Sequence, residues 1–160
     1  MSTVLKPCPT PLPAALRQLR VAPQQQDFVL PIASIIAQQQ ASEHFQLVYH
    51  QQQLVGFFLL DTGYSQQHDF ANHSDLGLRC FFIDQQAQGQ GIASAVLRQL
   101  PSYCQQHFPG FQRLLLTVNC RNKAAARLYQ QHGFADSGQL YLGGSAGPQH
   151  IFLRQLQTGA

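Results

Sequence analysis

The stretch Phe81-Phe82-Ile83-Asp84-Gln85-Gln86-Ala87-Gln88-Gly89-Gln90-Gly91-Ile92-Ala93 constrains the fold more than any other part of the chain. An apolar run ends near Asp84, a glycine-bearing turn follows, and a helical pattern opens near Gly91. Ala93, Leu97 and Leu100 then recur at i, i+4 and i+7, the spacing of one helix face. The first turn of a helix carries unpaired N–H groups and the positive end of the helix dipole. Glycines let a backbone approach a ligand closely and take φ > 0. A strand–glycine–helix junction is therefore a cradle for phosphate. A dinucleotide fingerprint needs a third glycine three residues after Gly91, where Ser94 stands, and the Gly-Lys-Ser/Thr of a P-loop is absent. On this segment alone, a turn glycine and a packing glycine are an equal alternative.

The rest of the chain alternates strand and helix signals. Lys6-Pro7-Cys8-Pro9-Thr10-Pro11-Leu12-Pro13 lacks an apolar core and reads as no secretory signal. Its prolines predict a flexible, extended arm over residues 1–14, ahead of one domain over 15–160. Leu16 to Val21 alternates apolar and basic, as a strand does. Asp27 is a candidate cap for a helix through Ile32, Ile35 and Ile36, with Pro31 in its first turn or as a kink. Phe45–His50 and Leu54–Leu60 are strands at hairpin spacing, 61–74 is a polar loop, and Leu76–Ile83 is the next strand. Pro101 is expected to end or kink the helix from Ile92. Leu114–Val118 reads as a central strand, Asn122 as the cap of a helix through His132, and Gly133 as its stop. Two strands, near Gly138–Leu142 and His150–Leu156, close the chain. The expected fold is α/β: a mixed, mostly antiparallel central sheet with helices on both faces.

Charge narrows the function. Only 11% of the 160 residues are charged, and 27 glutamines fill much of the polar surface. A net charge of +3 is thin for a nucleic-acid binder, and no run is long enough for a membrane span. Residues 1–78 carry a net −2 and residues 79–131 a net +5, so the middle of the chain suits an anion. Cys8, Cys80, Cys104 and Cys120 show no metal-ligand spacing, so no metal is expected, and reduced thiols in a cytoplasmic protein fit best.

A second motif is more specific. Val118-Asn119-Cys120-Arg121-Asn122-Lys123-Ala124-Ala125-Ala126-Arg127-Leu128-Tyr129-Gln130-Gln131-His132-Gly133-Phe134 follows an apolar strand. It resembles the Asn-x-x-Ala-x-x-Leu-Tyr-x-x-x-Gly-Phe pattern of the GNAT superfamily of N-acyltransferases. Gln88, Gly91 and Ala93 likewise resemble that superfamily's Gln/Arg-x-x-Gly-x-Gly/Ala motif for the acyl-CoA pyrophosphate. The resemblance covers about residues 15–156 and implies a splayed parallel pair formed by Leu76–Ile83 and Leu114–Val118.

It further implies acetyl-CoA as co-substrate. The backbone of Phe82 and Ile83 is expected to pair with pantetheine. The turn Gly89-Gln90-Gly91-Ile92-Ala93-Ser94, with Gln88, is expected to hold the pyrophosphate. Asn122 either contacts the cofactor arm or caps its own helix; Ala125 lies on the same face. Tyr129 matches the acid that protonates departing CoA thiolate, and a phenol with pKa near 10 has that proton at neutral pH. Arg121, Lys123 and Arg127 are candidate phosphate partners, although each alone reads more readily as a solvated face.

The base is not legible. Delivering an alkyl amine in neutral form at pH 7 costs roughly 4.6 kcal/mol. Some members of the superfamily carry a Glu six residues ahead of the position of Ile83, where Gly77 stands here. Asp75, Glu43, His44, Tyr49 and His73 are the other candidates. The reading is an N-acetyltransferase acting by direct attack of a primary amine, the acceptor being a small molecule or peptide. A non-catalytic acyl-CoA-binding module is the alternative. Arg79 to Asp84, with Leu100–Tyr103, faintly resembles the polyamine-type branch, but seven acids are few for a polycation. A homodimer through a closing strand is compatible with the sequence; nothing selects it.

Overall fold

The computed structural model describes residues 2–156; the last residues of the expected domain lie outside them. Seven strands form one sheet in the order β1-β2-β3-β4-β5-β7-β6. They are β1 (Thr3–Pro7), β2 (Glu43–His50), β3 (Gln53–Asp61), β4 (Asp75–Ile83), β5 (Arg113–Asn119), β6 (Ala135–Tyr141) and β7 (Gln149–Gln155). Every pairing is antiparallel except β4 with β5. Four helices accompany them: α1 (Ile32–Ala37), α2 (Tyr64–Gln67), α3 (Ile92–His107) and α4 (Lys123–Gln131). The mixed, mostly antiparallel sheet with helices on both faces is as the sequence predicts. No helix among the described residues is long and apolar enough to cross a membrane.

Strand alternation sorts the core into two faces. Phe58, Leu60, Leu76, Leu78, Leu114 and Leu116 join α3 and the apolar side of α4 on one face. Phe57, Leu59, Phe45 and Leu47 join Leu16, Leu19, Ile32 and Ile35 on the other. Each fully buried Leu or Phe side chain contributes about 1.5–3 kcal/mol, so these two layers carry most of the fold's stability.

Four expectations are corrected. Residues Thr3–Pro7 are no loose arm: they pair with β2, Thr3 opposite His50 and Pro7 opposite Gln46. Pro7 is tolerated there because an edge strand leaves some N–H positions unused. Leu16–Val21 is not a strand; Ala14–Gln18 form a 3₁₀ turn laid over the sheet, which still buries Leu16, Leu19 and Val21. Asp27 caps nothing: α1 starts after Pro31, whose carbonyl accepts from Ser34 and Ile35 N–H. Finally, α3 does not end at Pro101 but runs on through it to His107. The lost backbone bond costs about 3 kcal/mol. Tyr103 and Cys104, buried beyond the proline with Leu97 and Leu100, offset that cost.

Two closures depend on local geometry. Gly133 has φ +91°, and a Cβ there would lie 1.5 Å from Arg154 Nη1, which donates to His132 O at 2.9 Å. The β2–β3 hairpin turns through Gln51 and Gln52, with φ of +52° and +70°. Two positive φ values define a turn that favours Asn-Gly. Replacing Gln51-Gln52 by Asn-Gly should therefore raise stability by about 1 kcal/mol. Urea unfolding checks this: a higher midpoint at unchanged slope is expected, and an unchanged or lower midpoint contradicts the turn assignment.

Candidate active site

The parallel pairing of β4 with β5 is short. Asp75, Leu76 and Gly77 pair with Arg113, Leu114 and Leu115, and there the register ends. At the closed end Asp75 is fully buried and binds Arg113 in a fork, Oδ1 to Nε and Oδ2 to Nη2, both 2.8 Å. Farther along, Cys80 has φ +58°. Phe57 of β3 pairs with Phe82 and Leu59 with Arg79, so Phe58 faces two residues of β4. That is a β-bulge, which bends a strand and breaks its ladder. One strand is clamped at one end and bent near the other, so β4 and β5 part.

The gap opens into a cleft of about 910 Å³. Such a volume suits a large cofactor-like ligand. Its walls are β4 from Leu78 to Ile83, β5 from Leu116 to Asn119, the turn before α3, the start of α4, and residues 24–30. Of the residues expected to bind the cofactor, Phe82, Ile83, Gln88, Gly89, Gly91, Ile92, Ala93, Ser94, Asn122, Ala125 and Tyr129 all line it. Gln90 is exposed and does not.

The turn before α3 has the geometry of an anion cradle. Gly89 and Gly91 have φ of +81° and +77°, and a Cβ at either meets nothing within 4 Å. Ala95 N–H makes the first helical bond, to Gly91 O. Ile92, Ala93 and Ser94 N–H precede it and have no intrahelical acceptor. No side chain caps this end. The Gln88 side chain is used as a brace, its Nε2 donating to Gln25 Oε1 and Ile83 O, both 3.1 Å. It ties the 24–30 segment to the end of β4 and uses one lone pair of the Ile83 carbonyl. Asp84 assists, accepting from Arg20 N–H at 2.7 Å.

At the start of α4, Asn122 caps its own helix, accepting from Ala125 N–H at 3.4 Å. Tyr129, two turns on, packs edge-to-face on Phe134 at 5.4 Å. Burial raises the pKa of its phenol, and the neighbouring Cys80 thiol adds to the shift. It therefore stays protonated well beyond neutral pH. Cys80 itself is pushed up to about 11 by burial, against the opposing pull of Arg79.

The base candidates scatter. Asp75 is held by Arg113, away from the gap. Glu43 and Asp61 both accept from Arg79 Nη1, at 2.5 and 3.2 Å. His44 packs on Phe108 and lies 3.3 Å from the Thr62 hydroxyl. Tyr49 lies under Lys6, and His73 is exposed. At Gly77 a Cβ would come within 2.2 Å of the Tyr64 ring. Tyr64, 1% exposed, fills the place of any side chain at position 77.

Three contributors, Cys80, Asn119 and Arg79, were not visible in sequence, and Arg121 takes a part other than the expected one. Cys80 reads as a buried strand thiol, yet it forms the bulge. Asn119 Nδ2 donates to Ala146 O at 3.0 Å and Arg121 Nη2 to the same oxygen at 2.9 Å. Arg121 also lies 5.5 Å over the Phe28 ring. Arg121, itself exposed, staples two loops across the cleft mouth, whereas Lys123 and Arg127 make no such tie among the described residues. Arg79 is the third.

Comparison with known proteins agrees with this geometry. Residues 12–134 match the model of the acetyltransferase (GNAT) family. The spermine/spermidine N(1)-acetyltransferase of Bacillus subtilis is 28% identical over 134 residues, covering 82% of this chain and 86% of that protein. The uncharacterized N-acetyltransferase YbbJ of Bacillus subtilis is 30% identical over 90 residues, 56% of each chain. The solved structure of AAC(6')-Ib with paromomycin and acetyl-CoA superposes with a TM-score of 0.74 at 14% identity, covering 97% and 94% of the two chains. The chain belongs to the acetyltransferase (GNAT) family, whose N-acetyltransferases use acetyl-CoA.

The thiol shift gives a direct check. Only thiolate alkylates, so iodoacetamide labelling of Cys80 should rise about tenfold per pH unit from 7 to 10 without levelling. Peptide mass spectrometry reads it; a plateau at or below pH 8.5 contradicts the buried environment.

Proposed function

We propose that the chain transfers the acetyl group of acetyl-CoA to the primary amine of a small molecule or peptide by direct attack. The observation that carries this reading is the cleft between the parted strands, with a free-amide turn at one end and the Tyr129 phenol beside Cys80. In this reading the amides of Gly89 to Ser94 bind the pyrophosphate of CoA. The edge of Phe82 and Ile83 binds pantetheine and aims an N–H at the thioester oxygen, stabilising the tetrahedral oxyanion. When the C–S bond breaks, Tyr129 gives its proton to the CoA sulfur, and the proton shed by the acceptor nitrogen passes to solvent, from which the phenol is restored.

The acids of the site favour one kind of acceptor. Glu43, Asp61 and Asp75 are all engaged by arginines, which leaves none of them free as a base. An amine with pKa near 10.4 then carries the whole deprotonation cost, roughly 4.6 kcal/mol at pH 7, whereas an α-amino group near 8 carries only about 1.4 kcal/mol. Low-pKa amines are the better fit. The paired acids also suit a second reading, an acyl-CoA-binding module without turnover.

Tyr129→Phe separates the two. It should lower kcat by 10²- to 10³-fold while acetyl-CoA affinity changes less than threefold. Free-thiol release across a panel of amines, with CoA titration in parallel, measures both. A wild-type protein that binds acetyl-CoA yet acetylates no amine supports the binding module instead.

A further inference from the structure

Arg79 lines the cleft one residue before the Cys80 bulge, and its orientation is set from behind. Glu43 Oε2 and Asp61 Oδ2 both accept from Nη1, at 2.5 and 3.2 Å. The side chains of Glu43 and Asp61 are 9% and 0% exposed, and that of Arg79 is 34% exposed. Both contacts use the same nitrogen. Nε–H and the two Nη2–H groups donate to no acceptor among the described residues, and neither nitrogen is sealed from solvent. Nε and Nη2 form one edge of the guanidinium, two parallel donors spaced to match the oxygens of a carboxylate. The acids hold the far nitrogen and leave this edge over.

The surroundings restrict what the edge can take. Arg79, Glu43 and Asp61 together carry a charge of −1. His68 and Tyr64 lie within electrostatic reach of the same guanidinium. Burial, with the Arg79 charge, holds the His68 pKa below its usual value, so His68 adds no second cation. A bare polyanion finds no attractive field here. A polycation finds a guanidinium at the cleft wall and two acids already engaged. A zwitterion fits both charges, its ammonium drawn by the excess negative charge and its carboxylate by the fork.

We propose that Arg79 reads a carboxylate on the acceptor, so that the acetylated amine belongs to an amino acid or a short peptide. This rests on the acetyl-transfer reading above and names its substrate class. It sets the chain apart from the polyamine enzyme among its relatives.

The test is calorimetric titration of the CoA-bound protein with matched pairs: the twenty L-amino acids and a set of glycyl dipeptides against their decarboxylated amines, with spermidine alongside. At least one carboxylate-bearing amine should bind tenfold or more tightly than its partner. Arg79→Lys, which keeps a cation for the two acids but loses the fork, should cut that ratio to about threefold or less while CoA affinity holds. If that variant does not fold, the neutral triple Arg79→Gln, Glu43→Gln and Asp61→Asn replaces it with the same expectation. Equal binding across every pair, preference for spermidine or a decarboxylated amine, or no binding by any carboxylate-bearing amine overturns the proposal. Failure of the acetyl-transfer reading looks different: the binding ratio persists and acetyl-CoA is not consumed.

Discussion

The site depends on the parting of two parallel strands. β4 and β5 share only three residue pairs before they separate. At the joined end, the Asp75–Arg113 fork fixes the register, because without Arg113 the fully buried Asp75 carboxylate would be left uncompensated. At the other end, Cys80 takes a left-handed φ and inserts an extra residue opposite Phe58. A side chain in that region costs on the order of 1–3 kcal/mol and persists only where neighbours over-determine it. Here Arg79 before it and Phe82 after it are both paired with β3. The strain is local, and the gap it opens becomes the cleft.

The chain spends its few charges on architecture. The cation excess of residues 79–131 looks in sequence like a field for phosphate. In the structure Arg113 holds β4 to β5, Arg79 holds Glu43 and Asp61, and Arg121 holds the loop at Ala146. Lys123 remains at the cleft without such a tie. The proposed cradle therefore relies on backbone amides and the helix dipole more than on basic side chains. Glutamine serves the same bracing role elsewhere: Gln88 ties Gln25 to β4, and Gln99 Nε2 donates to Thr3 O at 2.8 Å.

What could be read in sequence was local. The Gly89–Ser94 turn, the Asn122 cap, the stop at Gly133 and the apolar run of β5 each announce themselves within a few residues. What could not be read depends on distant partners. β1 is a strand because β2 is beside it, and residues 14–21 lie flat because the sheet already has its neighbours. Pro101 stays in a helix because residues beyond it are buried in the same core. Gly77 looks like a missing acid until Tyr64 is seen over it. Glu43, Asp61 and Arg79 stand on three strands, so no spacing in the chain could announce them as one cluster.

The central claim is that the parted strands and the turn before α3 form one binding track for CoA. Residue-resolved amide hydrogen exchange, with and without saturating CoA, tests it most directly. The account predicts slowed exchange at Phe82 or Ile83 together with the run 89–94, and no change along β6. Saturable CoA binding that leaves the amides of 89–94 unprotected would contradict it.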